Sequence, residues 1–214
     1  MIDPFAITDF DRDDPALEEL FLFCCSVAGK KATMIAAMVD DLLANCGFGG
    51  GPFDRVRGML AAGTLGAELR RARLGKYGVL ERCFAAAVGP GGPDIRTAPP
   101  AELERLPGIG PKTSRFFILH SRRGAGVAVI DTHVLKYLRD TGVARVPDKA
   151  PTGPRYAALE RIVLADVAAS GMAAADFDLA VWSWYASGGK GAPPFAVPSR
   201  EARRHLEADG RTRN

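Results

Sequence analysis

The stretch of sequence that decides the fold is Leu106-Pro-Gly-Ile-Gly-Pro-Lys-Thr-Ser114. A helical pattern ends near Leu106, residues 107–110 are predicted to turn the chain, and Pro111 stands where the first position of a new helix tolerates a missing N–H. Two glycines two positions apart let the backbone approach a ligand without interference from side chains. The N–H groups of the turn and the positive end of the next helix dipole then point outward, which is typical of a phosphate-binding site.

Lys112 is the second residue of the helix that this turn starts. The helix dipole disfavours a cation at this position, and a lysine that can become neutral is a nucleophile for an electrophilic carbon. Two other interpretations stay open. Lys112 holds a phosphate, or the segment is a structural helical hairpin in which Ile109 packs the two helices together.

Asp131 follows Lys112 by nineteen residues, in the segment Val127-Ala-Val-Ile-Asp-Thr-His133. An apolar run delivers this aspartate to the start of the next helix, where it is predicted to be the N-cap. The same carboxylate is suited to stabilise positive charge at a reacting sugar carbon, or to take a proton from Lys112 or from water.

The composition and the apolar spacing of the chain predict an all-α fold. The 214 residues are 47% hydrophobic with a net charge of +3, which excludes disorder as the main state. The longest apolar run, residues 20–29, is well short of the roughly 20 residues that a membrane span needs, so a membrane protein or a signal peptide is not expected. The first predicted helix begins at Asp14 and ends at Gly29. Further helices are predicted at 32–44, 53–62, 64–74, 78–88, 100–106, 111–122, 132–140, 153–170, 174–187 and 198–208.

Cysteines and charges are unevenly distributed along the chain. The four cysteines, at positions 24, 25, 46 and 83, form no CxxC pair and favour reduced core thiols in a cytosolic protein over a zinc or iron–sulfur site. Residues 1–20 carry seven acids and one base, whereas residues 55–82 carry seven bases and two acids, and residues 106–123 four bases and no acid. Such sorting fits a polyanion-binding face, and solvated helix faces are the alternative.

The segments LPGIGPKTS (106–114) and VIDTHV (129–134) together resemble the helix-hairpin-helix DNA glycosylase superfamily, which includes endonuclease III. The resemblance implies a two-lobed helical fold, in which residues 30–128 form a barrel lobe with the hairpin at 100–122. Residues 1–29 and 129–214 would form the second lobe, with the active-site cleft between the lobes. No cysteine follows Cys83, so the four-cysteine iron–sulfur loop of the endonuclease III branch is absent.

The resemblance also implies an activity on double-stranded DNA that contains a modified or damaged base. The target nucleotide is flipped out, Lys112 attacks C1′ of its deoxyribose, Asp131 assists, and strand cleavage by β-elimination follows a Schiff base. The predicted DNA-binding residues are Gly108, Ile109, Gly110, Thr113, Arg115, Lys30, Lys31, Lys76 and His133.

The helix at 174–187 departs from the family, because Trp182 and Trp184 stand where the family has a histidine-rich helix. Two tryptophans two positions apart cannot both face the core of one helix, so one is expected in the core. A base pocket is predicted from Trp182 and Asp178. No cofactor and no metal are expected, with a weak monovalent-cation site at the hairpin carbonyls kept open. The protein is expected to be a cytoplasmic monomer near the nucleoid of a bacterial or phage-infected cell.

A second departure is Val27-Ala-Gly-Lys-Lys-Ala-Thr33, where these glycosylases carry a serine-alanine-glutamine-like motif whose glutamine fills the gap left by the flipped base. Lys30 and Lys31 are predicted to contact DNA phosphate or an acidic group on an unusual base, or else to be solvated. The signature is similar to a phage-associated branch proposed to attach an amine or amino acid to activated 5-hydroxymethyl-uracil. A glycosylase is therefore the first expectation, base modification the second, and a non-catalytic module that grips the DNA backbone the third.

Overall fold

Apolar residues recur every three or four positions along the chain, and these stretches fold as helices. A computed structural model describes residues 2–27, 29–189, 193 and 195. Within these residues the secondary structure is ten α-helices without a strand, which confirms the all-α prediction. None of these helices combines the length and the apolar character that crossing a membrane requires. The predicted helix at 198–208 lies outside the described residues. The helices are α1 Asp14–Val27, α2 Ala32–Ala44, α3 Pro52–Ala61, α4 Leu65–Arg71, α5 Tyr77–Val88, α6 Pro100–Leu103, α7 Pro111–Ser121, α8 Thr132–Asp140, α9 Gly153–Ser170 and α10 Ala174–Ala186.

Helix α4 ends three residues earlier than predicted, because the backbone after it leaves helical conformation. Arg73, Gly75 and Lys76 all have positive φ angles, of 58°, 66° and 48°. The left-handed region is unfavourable for residues with a Cβ atom, so this conformation at Arg73 and Lys76 must be held by surrounding contacts. The turn ends α4 and sets the start of α5.

Two compact units divide the chain, Met1–Arg123 and Gly124–Asn214. The first contains α1–α7, with α1 at its centre in contact with α2, α3, α5 and α7. Four successive residues of α1, from Leu20 to Phe23, are almost fully buried. The Phe21 ring packs edge-on against Phe53 and Phe117, with centroids 6.0 and 5.2 Å apart. A helical segment that is apolar on all sides must be covered on all sides, which explains the central position of this half of α1.

The expected division grouped residues 1–29 with residues 129–214, whereas the structure groups them with the hairpin. The N-terminal segment is tied to the end of α7 by side-chain hydrogen bonds. The Arg12 guanidinium donates to the carbonyl oxygens of Ile7, Asp9 and His120, over 2.7 to 3.1 Å. Thr8 Oγ1 also lies 2.8 Å from His120 Nδ1. These contacts, together with burial of α1, place the N-terminal residues in the first unit.

The second unit packs α8, α9 and α10 around an aromatic core. Tyr137, Tyr156 and Phe177 are each at most 2% exposed, and the Phe177 ring lies edge-on to that of Tyr137 with centroids 5.7 Å apart. The Tyr156 hydroxyl accepts a hydrogen bond from Ile130 N–H at 3.0 Å and lies 3.1 Å from Ala128 O, to which it donates. This hydroxyl therefore fixes the extended chain immediately before α8.

We expect Tyr156→Phe to lower the free energy of unfolding by about 1–3 kcal/mol, because the polar groups of Ala128 and Ile130 would stay buried without this partner. Urea denaturation measures the change. Tyr77→Phe is the matched control, since the Tyr77 hydroxyl makes no hydrogen bond within the described residues. Equal stability of wild type and Tyr156→Phe would contradict this assignment.

Candidate functional site

The hairpin between α6 and α7 is held by hydrogen bonds between backbone groups that are close in sequence. Ile109 is buried, and its N–H donates to Leu106 O at 3.1 Å. Gly110 O accepts from the N–H groups of Thr113 and Ser114, at 3.0 and 3.1 Å, and so begins α7. The segment is thus a tight turn that buries one apolar side chain and leads directly into a helix.

The two glycines of the hairpin have different surroundings. Gly108 has a φ of +85°, and a Cβ atom there would lie 2.4 Å from Cγ1 of Val79 on α5. A Cβ atom at Gly110 would meet nothing within 4 Å. Within the described residues, neither N–H donates a hydrogen bond to a protein acceptor. The turn therefore packs against α5 at Gly108, whereas at Gly110 the backbone is accessible to a ligand.

Polar side chains at the start of α7 bind the side chain of Glu104, the residue that follows α6. Ser114 Oγ donates to Glu104 Oε1 at 2.9 Å, and the Arg115 guanidinium forms an ion pair with the same carboxylate. The Arg115 side chain is only 17% exposed. Because its guanidinium already binds Glu104, Arg115 stabilises the hairpin, and a DNA contact by Arg115 stays a prediction.

Lys112 lies one residue beyond the first position of α7 and is half-buried. Its Nζ atom lies 5.2 Å from the centroid of the Phe116 ring one turn further along, a distance at which a cation is attracted to the ring face. The Phe116 ring in turn packs edge-on against His120, with centroids 4.7 Å apart. The Lys112 amine is therefore held along the surface of α7.

The surroundings of Cys24 place Lys112 close to α1. Burial raises the pKa of the Cys24 thiol to about 12, and the positive charges of Lys112 and Arg12 act in the opposite direction. Cys24 therefore stays a protonated core thiol, as the sequence predicted for a buried cysteine.

Two of the predicted DNA-binding lysines meet at the start of α5. The Lys30 ammonium donates a hydrogen bond to Leu74 O, and a Cβ atom at Gly75 would lie 2.7 Å from Lys30 Nζ. Lys76 is the next residue, exposed, and forms the N-cap of α5. Burial, followed by the charge of Lys76, lowers the pKa of Lys30. Lys31 differs from this pair, since it is exposed at the N-cap position of α2.

The hairpin and this lysine pair meet the same turn of α5. Lys76 O accepts the Val79 N–H at 2.9 Å, so Val79, which contacts Gly108, lies one turn after Lys76. Arg82 is exposed a further three residues along, on the same helix face. Its Nη1 atom would lie 3.7 Å from a Cβ atom at Gly78. The sequence places Arg82 in a basic run but does not assign it to the site, because only the fold shows which residues of that run lie on the helix face that contacts the hairpin.

Asp131 is the N-cap of α8, as predicted. Its Oδ1 atom accepts the N–H groups of His133 and Val134, at 2.9 and 2.8 Å. The side chain of Asp131 is half-buried. The two N–H groups fix the orientation of the carboxylate and stabilise its negative charge.

The predicted base-pocket residues lie beside the start of α8. The His133 ring packs edge-on against Trp182 with centroids 6.3 Å apart, and Trp182 is 37% exposed. Asp178 stands one turn before Trp182 on the same face of α10. Trp184 instead packs against the core and lies 4.6 Å from the Tyr185 ring centroid. Trp182 is thus the tryptophan available to a ligand.

A cleft of about 350 Å³ lies among α1, α2 and α3, lined by Pro15, Glu19, Asp40, Leu43, Ala44, Gly50, Gly51, Pro52 and Arg55. It contains none of the predicted site residues. In the part of the chain that the structure describes, no group of three or more His, Cys, Asp or Glu side chains is arranged to hold a metal ion. The candidate residues therefore form two groups, one on the hairpin and α5 in the first unit, and another on α8 and α10 in the second unit.

We expect Gly108→Ala to lower the free energy of unfolding by about 1–3 kcal/mol, because the added Cβ meets Val79 and the φ is positive. Gly110→Ala is the matched variant, since its Cβ meets open space, and its stability should stay within about 0.5 kcal/mol of wild type. If the N–H at Gly110 receives a phosphate, the methyl group obstructs it and DNA affinity should fall roughly tenfold. Urea denaturation and fluorescence anisotropy with duplex DNA separate the two effects; unchanged DNA affinity of Gly110→Ala would contradict a phosphate contact there.

No protein-family model matches the chain, and no curated protein is significantly similar to it in sequence. The resemblance to helix-hairpin-helix glycosylases is therefore carried by two short segments, residues 106–114 and 129–134. Each of these segments begins a helix, α7 and α8, and places polar groups at its N-terminus.

Proposed function

We propose that the protein is a DNA base-flipping enzyme, a glycosylase that uses Lys112 as its nucleophile on a modified or damaged base. The observation that carries this proposal is the hairpin at 106–111. A Cβ atom at Gly110 would meet no protein atom within 4 Å, so a ligand has space to approach the backbone there. The N–H groups of Gly108 and Gly110 have no described protein acceptor, and Lys112 follows two residues after Gly110. A nucleophile next to a phosphate-binding turn is suited to a substrate that carries an electrophilic carbon close to a phosphate.

A local group of basic side chains in the first unit supports a polyanionic substrate. Lys30, Lys76 and Arg82 lie around the turn of α5 that contacts the hairpin. Protein amines and guanidinium groups neutralise DNA phosphates and release counterions, and backbone N–H groups contribute further phosphate contacts. A DNA strand offers both the phosphates and, at C1′ of each deoxyribose, the electrophilic carbon.

In the proposed reaction the neutral Lys112 amine donates its electron pair to C1′ of the flipped nucleotide. The bond between C1′ and the base nitrogen breaks, and the base leaves with the electron pair of this bond and takes up a proton. Loss of the amine proton and opening of the sugar ring give a Schiff base between Nζ and C1′. Removal of a C2′ proton then expels the 3′ phosphate by β-elimination, which cleaves the strand.

Asp131 is proposed to stabilise the positive charge that develops at C1′ and to accept a proton during the reaction. Its Oδ1 is held by two backbone N–H groups, so the carboxylate has a fixed orientation. Trp182 and His133 are proposed to contact the extruded base, because an exposed indole packed against an imidazole provides a stacking surface.

Borohydride trapping tests the nucleophile. We expect a covalent adduct between the protein and DNA that carries one member of a panel of modified pyrimidines or 8-oxoguanine, because borohydride reduces the Schiff base to a stable amine. Lys112→Ala should form no adduct, whereas the control Lys149→Ala, at an exposed lysine of the second unit, should react as wild type. Absence of an adduct on every substrate, with DNA binding intact, would contradict glycosylase–lyase chemistry.

Asp131→Asn separates catalysis from helix capping in the same assay. Asparagine caps helices about as well as aspartate, so the stability should change little, while the rate should fall roughly 10²–10⁴-fold because the negative charge is lost. A rate equal to that of wild type would contradict a catalytic role and would leave Asp131 as a helix cap.

Base modification is the second candidate, and the pair formed by Lys30 and Lys76 favours it. Two amines held close together are suited to a phosphate group carried by an activated 5-hydroxymethyl-uracil. In this reaction an amine nitrogen attacks the 5-methylene carbon, the carbon–oxygen bond breaks, pyrophosphate leaves with the electron pair, and the nitrogen loses a proton.

Mass spectrometry of DNA distinguishes the two candidates. Incubation of DNA containing pyrophosphorylated 5-hydroxymethyl-uracil with amino acids and the protein should, for the second candidate, replace pyrophosphate on the base without loss of the base. Lys30→Gln combined with Lys76→Gln should abolish the gain, because the leaving group would lose its contacts. Release of the free base instead would decide for the glycosylase.

A further inference from the structure

We propose that Lys30 and Lys76 together bind a single phosphate of the DNA backbone, next to the phosphate that the hairpin binds. This inference rests on the DNA-binding part of the proposed function. It assigns a second backbone contact to a turn between α4 and α5, outside the hairpin.

The position of Lys30 is the first observation. Its side chain crosses from the loop before α2 to the turn after α4, where the ammonium donates to Leu74 O. This bond joins residues forty-four positions apart in sequence. The absence of a side chain at Gly75 leaves the space that Nζ occupies, since a Cβ atom there would lie 2.7 Å away. The amine is therefore fixed at this turn and is not a freely moving surface charge.

The second observation is the neighbouring charge of Lys76. Lys76 follows Gly75 in the chain, adopts the left-handed conformation with a φ of 48°, and is exposed. Two ammonium groups held at one turn repel each other, and this repulsion, second to burial, lowers the pKa of Lys30. An anion placed between them removes the repulsion and gains two charge-assisted hydrogen bonds. A phosphodiester has two non-bridging oxygens that share one negative charge, so it offers one acceptor to each amine.

The third observation is the distance to the hairpin. Gly108 packs on Val79, one helical turn after Lys76. A turn of α-helix is about 5.4 Å long, and the phosphates of one DNA strand recur at about 3.4 Å along the duplex axis. The lysine pair and the hairpin therefore adjoin the same turn of α5, and we expect them to contact neighbouring phosphates of one strand.

The test measures duplex binding by anisotropy at several salt concentrations, with every protein in the Lys112→Ala background so that the DNA stays intact. We expect Lys30→Gln and Lys76→Gln each to weaken binding roughly tenfold, and the double variant to weaken it by much less than the product of the two, because both remove one shared contact. The salt dependence of log K in the double variant should fall by about 0.9, the value for one phosphate. Lys31→Gln is the matched control, an exposed lysine next in sequence, whose effect should multiply with that of Lys76→Gln.

Single methylphosphonate substitutions along the duplex locate the phosphate. At one position the methylphosphonate should weaken binding by wild type and leave binding by the double variant unchanged. This position should lie within two phosphates of the position at which a methylphosphonate no longer weakens binding by Gly110→Ala. Lys76→Gln keeps the test decisive if Lys30→Gln fails to fold, because the Lys76 side chain lies on the surface.

Multiplicative losses for the two lysines, or a double variant that responds to every methylphosphonate position as wild type does, would overturn the proposal. So would pyrophosphate binding that depends on both lysines while no backbone position does, since the site would then belong to a phosphate outside the backbone. Failure of borohydride trapping alone overturns the glycosylase and leaves this binding result standing, so the two failures are distinguishable.

Discussion

The close approach of Gly108 to Val79 is the contact on which the first unit's candidate site depends. Any side chain at residue 108 would occupy the space of the Val79 methyl group, since the Cβ would lie 2.4 Å from it. The contact holds the hairpin against the first turn of α5. It thereby fixes where α7 begins, and so where Lys112 stands. The lysine pair before α5 adjoins the hairpin for the same reason.

The second unit positions its polar residues by hydrogen bonds between side chains and backbone. The Tyr156 hydroxyl holds the extended segment before α8, and the Asp131 carboxylate holds the first N–H groups of α8 itself. The aspartate therefore stands at the junction of two fixed elements. Such fixation is needed for a charge that acts on a transition state, because the group then has no reorganisation to make during the reaction. The cap and the proposed catalytic role consequently require the same geometry.

The sequence predicted the helices well because their boundaries are local. Apolar periodicity, prolines at first positions and glycines after the ends are all read within a few residues, and the capping role of Asp131 has the same local origin. The break before α5 is predicted, but the end of α4 at Arg71 is not, because helix propensity does not show that Arg73 and Lys76 adopt positive φ. The contacts between Lys30 and Leu74 and between Gly108 and Val79 join residues far apart in sequence, so only tertiary packing brings them together. From the basic run at 55–82 the sequence accordingly predicted Lys76 as a site residue, whereas Arg82 was assigned only from the fold.

The hydrogen bond that Lys30 donates to Leu74 O is relevant to residues 27–33, where the sequence differs from the glycosylases that it resembles. In the glycosylases that the chain resembles, a glutamine in this region fills the gap left by the flipped base. A side chain bound to Leu74 O would have to break that hydrogen bond to enter a base stack, and would bring a charge into an apolar gap. A fixed ammonium beside a second one is instead suited to an anion. In the proposed base-flipping reaction, Lys30 is therefore better suited to hold a phosphate than to fill the gap, and a residue from another part of the chain would fill it.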